Sequence, residues 1–290
     1  MLRIALIQQH SSPDRDENIA RGLFALAEAA QNGARLVCFA ELAFERFHPQ
    51  RPADGPVAGL AQPVPGPLTD AFTAAARQHG VVVVLNLFER DGQKTFDTSP
   101  VIDADGTLLG KTRMVHITDY PCFHEQDYYA PGDTGAPVYT TAVGSVGVAI
   151  CYDRHYPEYM RALALSGAEI VVVPQAGVEG EWPDGLYEAE MRVAAFQNGY
   201  FVALCNRVGE EENLAFSGES FVCAPDGTVV ARSPSGEDCI LYADLDLKAV
   251  HDSPARRLFL RDRRPSLYPQ WLTNTNPVSH SSVEVDARES

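Results

Sequence analysis

The stretch "QNGARLVCFAEL", residues 31–42, runs from the end of a helical pattern through a glycine into a short apolar strand. The same order of features returns in "RQHGVVVVLNLF" at 77–88 and in "LSGAEIVVVPQA" at 165–176. Apolar residues at helical spacing precede the first copy, and a proline and a glycine frame the helix before the last one. Three such helix-to-strand units predict a layered α/β protein with strands buried on both faces.

A second phrase, two short strands around an Asp-Gly turn, also occurs twice. It is seen in "PVIDADGTLLGKT" at 100–112 and in "SFVCAPDGTVVAR" at 220–232. Asp-Gly between apolar residues is a strong hairpin signal, so the sheets should be mixed. Two similar halves predict a four-layer α-β-β-α sandwich with two mixed sheets. We expect one domain over residues 1–272 and a polar, aperiodic tail over residues 273–290.

Composition restricts the possible partners. The 290 residues carry a formal net charge of −16, which argues against binding to a nucleic-acid backbone or an anionic membrane, although solubility alone also explains such a charge. The opening "MLRIALIQQH" has no features of a secretory signal. No apolar stretch reaches the ~18–20 residues that cross a bilayer. A cytoplasmic location is therefore expected.

The six cysteines are widely spaced, which favours free thiols over a disulfide framework. Cys38, Cys205 and Cys223 lie inside apolar runs and are typical of small core residues. Cys151 differs, because in "GVAICYDRHYPE", residues 147–158, it ends an apolar strand and is followed by charged and hydroxyl-bearing residues. Ligands of open α/β sheets bind at the carboxyl ends of strands, so Cys151 is a candidate nucleophile.

Two further residues are predicted to lie, like Cys151, at the end of a buried strand. Glu41 follows "RLVCFA", and Lys111 follows "TLLG" on the outgoing arm of the first hairpin. A thiol with a free pKa near ~8.5 needs a base or a positive neighbour to become a useful thiolate. A buried carboxylate can take its proton and return it to a leaving amine, and an ammonium can stabilise an oxyanion. Together, Glu41, Lys111 and Cys151 form a chemically complete set.

These motifs, "FAEL", "GKTRMVHI" and "GVAICYDRHYPE", resemble the Glu-Lys-Cys signature of the nitrilase superfamily, the carbon–nitrogen hydrolases, over nearly the whole chain. The resemblance implies the α-β-β-α fold and a second glutamate, Glu125, that positions Lys111 and the substrate amide. It also implies pairing through the outer helices into a homodimer or a higher homo-oligomer. The apolar side chains of "PARRLFLRDRRPSLYPQW" could contribute to that seam, or could instead close the core of one subunit: Leu258, Phe259, Leu260, Leu267, Tyr268 and Trp271.

Other groups of residues in the sequence could compete with this set. His155 lies four residues after Cys151, but the helix that begins near "YPEYMRAL" should turn it away from the thiol. Cys122, His124 and Asp127 form a local trio with no second half, which is poor support for zinc. His116 matches a histidine common in the family and is expected to shape the pocket. No metal or organic cofactor is expected.

The expected reaction begins with Glu41 accepting the Cys151 proton as the thiolate attacks an amide or ureido carbonyl. The oxyanion is held by Lys111 and the backbone N–H of Tyr152, and the resulting thioester is hydrolysed by water that Glu41 activates. "CYDRHYPE" resembles the branches that cut linear amides and N-carbamoyl compounds. Arg154 is expected to bind a substrate carboxylate, or else to pair internally with Asp153 or Glu158.

The strand-end segment 174–182, "PQAGVEGEW", is expected to line the pocket, with Gln175 among the substrate-binding residues. Its two glutamates could favour an amine-bearing substrate such as a carbamoylated polyamine. The predicted function is cleavage of N-carbamoyl (ureido) compounds with release of ammonia. The alternatives are an aliphatic or ω-amidase, a nitrilase, a glutaminase-type domain and a non-catalytic binding protein on the same fold.

Overall fold

The computed structural model describes residues 1–273, and these form fifteen strands and six α-helices. The strands are β1 (Leu2–Gln8), β2 (Leu36–Phe39), β3 (Val82–Val84), β4 (Leu87–Asp91), β5 (Lys94–Ile102), β6 (Leu108–Arg113), β7 (Val138–Thr141), β8 (Gly144–Val148), β9 (Ile170–Gln175), β10 (Phe201–Asn206), β11 (Val208–Glu210), β12 (Ala215–Ser217), β13 (Phe221–Cys223), β14 (Val229–Arg232) and β15 (Cys239–Leu245). The α-helices are α1 (Arg15–Gln31), α2 (Pro67–His79), α3 (Pro157–Leu165), α4 (Leu186–Asn198), α5 (Lys248–Asp252) and α6 (Tyr268–Leu272).

The strands form two large mixed sheets and one small one. The first large sheet has the order β15-β1-β2-β3-β5-β4, with β6 paired to β5, and the second has the order β14-β13-β10-β9-β8-β7. Each has three parallel strands at its centre, β1-β2-β3 in the first and β8-β9-β10 in the second, with antiparallel strands outside them. Both predicted Asp-Gly hairpins are present, as β5-β6 and β13-β14.

The helices cover the outer faces of the two sheets. Strand alternation divides the apolar residues of β1, because Ile4 and Leu6 face the layer between the sheets whereas Ala5 and Ile7 pack with α1 and α2. On the other side, α3 and α4 pack on the second sheet in the same way. The four layers are thus helix, sheet, sheet and helix, and the predicted α-β-β-α sandwich is confirmed.

The C-terminal segment packs beside α4 and leaves much of its apolar surface exposed. Phe259 lies 5.4 Å from Phe196 of α4, measured between ring centroids. Leu258 and Trp271 are 47 % and 62 % exposed in the single subunit. The alternative that these side chains simply close the subunit's own core is therefore wrong for most of them. The predicted tail lies outside the described residues except for Thr273.

Candidate active site

Cys151 lies where the chain leaves β8. The strand ends at Val148, and Cys151 opens a short 3-10 helix, Cys151–His155, that leads into α3. Its φ is +42°, in the left-handed region that non-glycine residues rarely occupy. The residue is only 5 % exposed, and the Gln175 amide Nε2 donates to its Sγ at 3.3 Å. A strained, buried thiol at a strand end is typical of a functional position rather than of core packing.

Two carboxyl groups face this thiol. Ligand atoms of Glu41, Glu125 and Cys151 all lie within 4.8 Å of one another, and both glutamates are fully buried. Glu41 follows β2 by two residues, and Glu125 opens another 3-10 turn, Glu125–Asp127. Among the described residues, neither Glu41 oxygen has a hydrogen-bond partner, whereas Glu125 accepts one bond, from the Thr118 N–H at 3.2 Å. The unpartnered oxygens are available to a ligand.

Burial and mutual repulsion govern the protonation of this group. Burial, and then the Glu125 charge, raise the pKa of Glu41 to about 8. Burial raises the pKa of Glu125 well above its usual range. The Cys151 pKa is also raised, by burial and by the charges of Glu41 and Glu125, whereas Arg154 opposes the rise. The thiol therefore needs a base beside it, and Glu41 is placed to act as one.

A third buried carboxyl, Asp97 of β5, was missed in the sequence. It is fully buried, and burial followed by the charge of Glu41 raises its pKa well above the usual range. Asn86 links Asp97 to the backbone next to Glu41: its Nδ2 donates to Asp97, and its Oδ1 accepts from the Leu42 N–H at 2.8 Å. A signal existed, because Asp97 is an acidic residue in the middle of the otherwise uncharged run "TFDTSPVI".

The structure does not bring Lys111 to the thiol, so its predicted oxyanion role is contradicted. The Lys111 Nζ pairs with Glu89 and donates to the Val64 carbonyl at 3.3 Å. Strand alternation explains this. Strand β6 continues through Lys111 to Arg113, and both side chains reach Glu89, whereas Thr112 between them contacts the Tyr139 hydroxyl at 3.2 Å.

The next residue on the Thr112 side is Met114. It is fully buried in the apolar cluster between the sheets that also contains Cys151. The Met114 N–H donates to the Asp97 carbonyl at 2.9 Å, which continues the β5–β6 pairing by one residue, so an uncharged thioether is paired across the strands with one of the buried acids.

Arg154 is buried beside the nucleophile's backbone. Its Nη1 donates to the Cys151 carbonyl at 3.2 Å, its guanidinium carbon lies 4.5 Å from the centre of the Tyr187 ring, and its Nε lies 3.6 Å from Glu190. The internal ion pair thus exists, but with Glu190 of α4 rather than with Asp153 or Glu158. Nη2 has no hydrogen-bond partner among residues 1–273.

The histidines are engaged elsewhere. His116 Nδ1 lies 2.6 Å from Asp153, and the His116 ring stacks on Tyr156. His155 pairs with Glu190 at 2.7 Å rather than with the thiol, so the Cys-His alternative has no support. Among the described residues, Cys122, His124 and Asp127 do not form a possible metal group.

The wall of the site includes Tyr152 and the segment after β9. The Tyr152 ring makes edge contacts with His155 and Tyr156, 5.2 and 5.7 Å away between centroids. In the segment, Glu181 accepts hydrogen bonds from the Tyr120 and Tyr187 hydroxyls. Burial and then the Glu181 charge raise the pKa of both tyrosine hydroxyls, and the charge of Cys151 adds a smaller contribution. Glu181 is thereby held against the rim of the site.

Comparison with known proteins agrees with the fold and with the buried thiol. The carbon-nitrogen hydrolase family model matches residues 3–255. The chain is 33 % identical to the N-carbamoylputrescine amidase of Solanum lycopersicum, with 96 % of this chain and 98 % of that protein covered. It is 31 % identical to the citrullinase of Francisella tularensis, with 93 % and 97 % covered.

Among solved structures, a carbon-nitrogen hydrolase from Helicobacter pylori superimposes with a TM-score of 0.87 at 30 % identity, covering 94 % of this chain and 99 % of that one. A buried thiol and carboxyls at the strand ends of an α-β-β-α sandwich are features of nitrilase-like hydrolases. The chain belongs to the carbon-nitrogen hydrolase family. Within residues 1–273, the helices are all too short or too polar to span a membrane.

Proposed function

We propose that this protein is a cofactor-independent thiol hydrolase that cleaves non-peptide C–N bonds of ureido (N-carbamoyl) compounds and releases ammonia. The observation that carries the proposal is the placement of the Cys151 thiol within 4.8 Å of two buried, partly unpartnered carboxyls, Glu41 and Glu125. The names of the tomato and Francisella relatives, an N-carbamoylputrescine amidase and a citrullinase, support the ureido group as the point of cleavage.

The mechanism follows from the positions of these groups. Glu41 takes the thiol proton, Cys151 attacks the ureido carbon, and Glu41 returns the proton to the leaving nitrogen. Water that Glu41 activates then hydrolyses the resulting thiocarbamate, and the carbamate so formed breaks down to carbon dioxide and the remaining amine or ammonia. Because Lys111 is held at Glu89, the oxyanion must be stabilised by other donors. The Tyr152 backbone N–H and the Gln175 Nε2, which already reaches the sulfur, are the groups we assign to this role.

Arg154 and Glu181 offer two ways to select the rest of the substrate. The unpartnered Nη2 of Arg154 supports binding of a substrate carboxylate. Glu181, on the rim, supports binding of an amine. An aliphatic amidase would use the same chemistry at the thiol. Its substrate differs from a ureido compound only in having one nitrogen, rather than two, on the carbonyl carbon. His116, paired with Asp153, shapes the wall rather than transferring protons.

Ammonia release tests the proposal directly. The substrates are matched ureido acids, ureido amines, short aliphatic amides and a nitrile. Cys151→Ala should abolish turnover, whereas Cys223→Ala, which removes a thiol buried under the helices of the second sheet, should leave it intact. A Cys151→Ala protein with normal rates would refute the thiol mechanism. An enzyme that cleaves amides and ignores every ureido compound would refute the substrate class.

We also propose a homo-oligomer located in the cytoplasm. Phe259 of the C-terminal segment lies beside Phe196 of α4, and both are exposed, as is Val193 on the same helix. An exposed apolar face of this kind is typical of a subunit interface. Light scattering at micromolar concentration should give at least the dimer mass, and Phe196→Glu should lower it. A monomer mass for the unaltered protein would contradict the proposal.

A further inference from the structure

Within residues 1–273, no cationic side chain forms an ion pair with the buried carboxyls of Glu41, Asp97 or Glu125. The charges that act on them come from Arg154, near the thiol, and from Arg207, near Glu41. Arg154 already pairs with Glu190, and Arg207 pairs with Glu211 while donating to the Glu41 carbonyl at 2.9 Å.

The other cationic side chains of this region also form ion pairs with other acids. Lys111 and Arg113 share Glu89, and His116 is bound to Asp153. Three buried carboxyls, those of Glu41, Asp97 and Glu125, thus remain without a counter-charge from the part of the chain that the structure describes.

A buried ionised carboxylate is unstable without a partner, so such a group either holds protons or waits for a cation. The free oxygens point to a ligand. Both oxygens of Glu41 and Oε1 of Glu125 are buried and without a hydrogen-bond partner among residues 1–273, and all lie close to the thiol. A planar cation with several N–H donors satisfies two facing carboxylates better than a neutral group, because charge-assisted hydrogen bonds are roughly twice as strong as neutral ones.

Because the Lys111 ammonium lies at Glu89 and not at the thiol, the kind of substrate carbon that the thiol can attack readily also changes. Attack on a neutral amide or urea creates an oxyanion, which Lys111 was expected to stabilise. Attack of a thiolate on a guanidinium carbon creates a neutral adduct, since the positive charge of the substrate cancels that of the thiolate. A site rich in carboxyls, with the uncharged Met114 paired to Asp97 across the strands, suits the second reaction.

We propose that this site also hydrolyses guanidinium groups, converting a guanidino compound and water into the corresponding ureido compound and ammonia. The inference rests on the proposed thiol chemistry of Cys151 and extends it to a cationic substrate. Glu41 and Glu125 bind the amino groups of the guanidinium, and the thiol lies against its central carbon. The product carries the ureido group that the proposed function would cleave next.

Each step of this reaction balances. Glu41 takes the Cys151 proton, and a C–S bond forms to the guanidinium carbon, which gives a neutral tetrahedral adduct. Glu41 then protonates one amino nitrogen, the C–N bond breaks, and ammonia leaves an S-linked isothiouronium cation. Glu41 takes a proton from water, a C–O bond forms, and the C–S bond breaks to release the urea while the hydroxyl proton passes to the sulfur. The proton left on Glu41 then passes through solvent to the released ammonia, which restores the carboxylate. No electrons are exchanged with a further reactant.

The test uses the full chain and two matched pairs of probes, agmatine with N-carbamoylputrescine and arginine with citrulline. We expect at least one guanidine to yield its ureido partner, identified by mass, with a kcat/KM at least about tenfold above that of the partner. Turnover of ureido compounds without turnover of either guanidine would overturn this inference alone. Absence of turnover on guanidines, ureas and amides alike would overturn the proposed function as well.

Met114→Lys places an ammonium among the carboxyls and should lower guanidine kcat/KM at least about tenfold relative to Met114→Leu, because like charges in one site repel. Urea turnover should stay level or rise. If Met114→Lys fails to fold, as judged by circular dichroism, Glu125→Gln replaces it and should lower the guanidine rate more than the urea rate. Equal losses for the two substrates of a pair would contradict the proposal.

Discussion

Two halves of this molecule repeat one strand order and differ in how they hold charge. In the first half, β1–β6, the carboxyls of Glu41 and Asp97 are fully buried, and no cation within residues 1–273 pairs with them. In the second half, β7–β14, the charged residues that follow Cys151 are paired, Asp153 with His116 and Arg154 with Glu190. Paired charges stiffen the turn that carries the thiol, and unpaired ones supply a base. The repeat in architecture therefore does not extend to chemistry.

Removing the charge of the buried base in the first half should have the largest effect on turnover. Glu41→Gln keeps the shape of the side chain but cannot accept the thiol proton, so turnover should fall roughly 10²–10⁴-fold, the usual contribution of a positioned base. Ammonia release measures this, with Glu210→Gln on exposed β11 as the control. A folded Glu41→Gln protein that keeps more than a tenth of the activity would show that another group is the base.

Breaking the pairing in the second half should have a smaller and selective effect. If Arg154 binds a substrate carboxylate, Arg154→Ala should cost about 2–5 kcal/mol in kcat/KM for ureido acids and spare ureido amines. Because Arg154 also pairs with Glu190, Glu190→Gln serves as the control and should not discriminate between acids and amines. An Arg154→Ala enzyme that loses the same factor on both substrates would reduce Arg154 to a structural role.

The unpaired acids should make pH act oppositely on rate and on stability. Glu41 has a pKa of about 8 in the folded state against 4.5 as its ordinary value. Between these values the folded state binds more protons than the unfolded state, so stability falls as pH rises through this window. The raised pKa values of Asp97 and Glu125 act in the same direction.

The base form of Glu41 accumulates over the same window, so kcat/KM should rise about tenfold per pH unit below pH 8. Thermal melts and initial rates from pH 5 to 9 measure both trends, and Glu41→Gln should flatten them. Rate and stability that rise together across this range would contradict the assignment.

The smallest effect on turnover is expected at Lys111, where sequence and structure disagree. Lys111→Ala removes one of two cations on Glu89, and Arg113 remains, so turnover should stay within about threefold while stability falls by about 1–3 kcal/mol. Lys94→Ala, on the exposed start of β5, is the control. A loss of several orders of magnitude in a folded Lys111→Ala protein would restore the predicted oxyanion role.

The sequence predicted the parts of the fold that depend on local pattern. The sandwich, both Asp-Gly hairpins and the strand-end positions of Glu41 and Cys151 follow from periodicity and turn residues. The prediction that Lys111 lies at the thiol does not match the structure, because β6 continues two residues beyond Lys111. Strand alternation then decides which side chains face the thiol. A shift of one position in a strand exchanges its two faces, so a small error in the strand end becomes a complete error in orientation.

The remaining misses are contacts between distant parts of the chain. The partner of Arg154 is Glu190 on α4, whereas the sequence suggested its neighbours Asp153 and Glu158. Asp97 is linked to the backbone beside Glu41 through Asn86, a residue from the connection between β3 and β4. Such pairings depend on how the layers pack, and no short motif records them.

The left-handed backbone of Cys151 sets folding stability against the need for a thiol at this position. Glycine adopts a φ of +42° without strain, whereas a cysteine there is held by its surroundings. At most buried positions a glycine makes the protein less stable than an alanine would, by about 0.5–1 kcal/mol. At this turn the difference in stability should vanish or favour glycine. Folding stability alone would therefore favour glycine at this turn, so the cysteine provides a reactive thiol there at the expense of a more relaxed backbone.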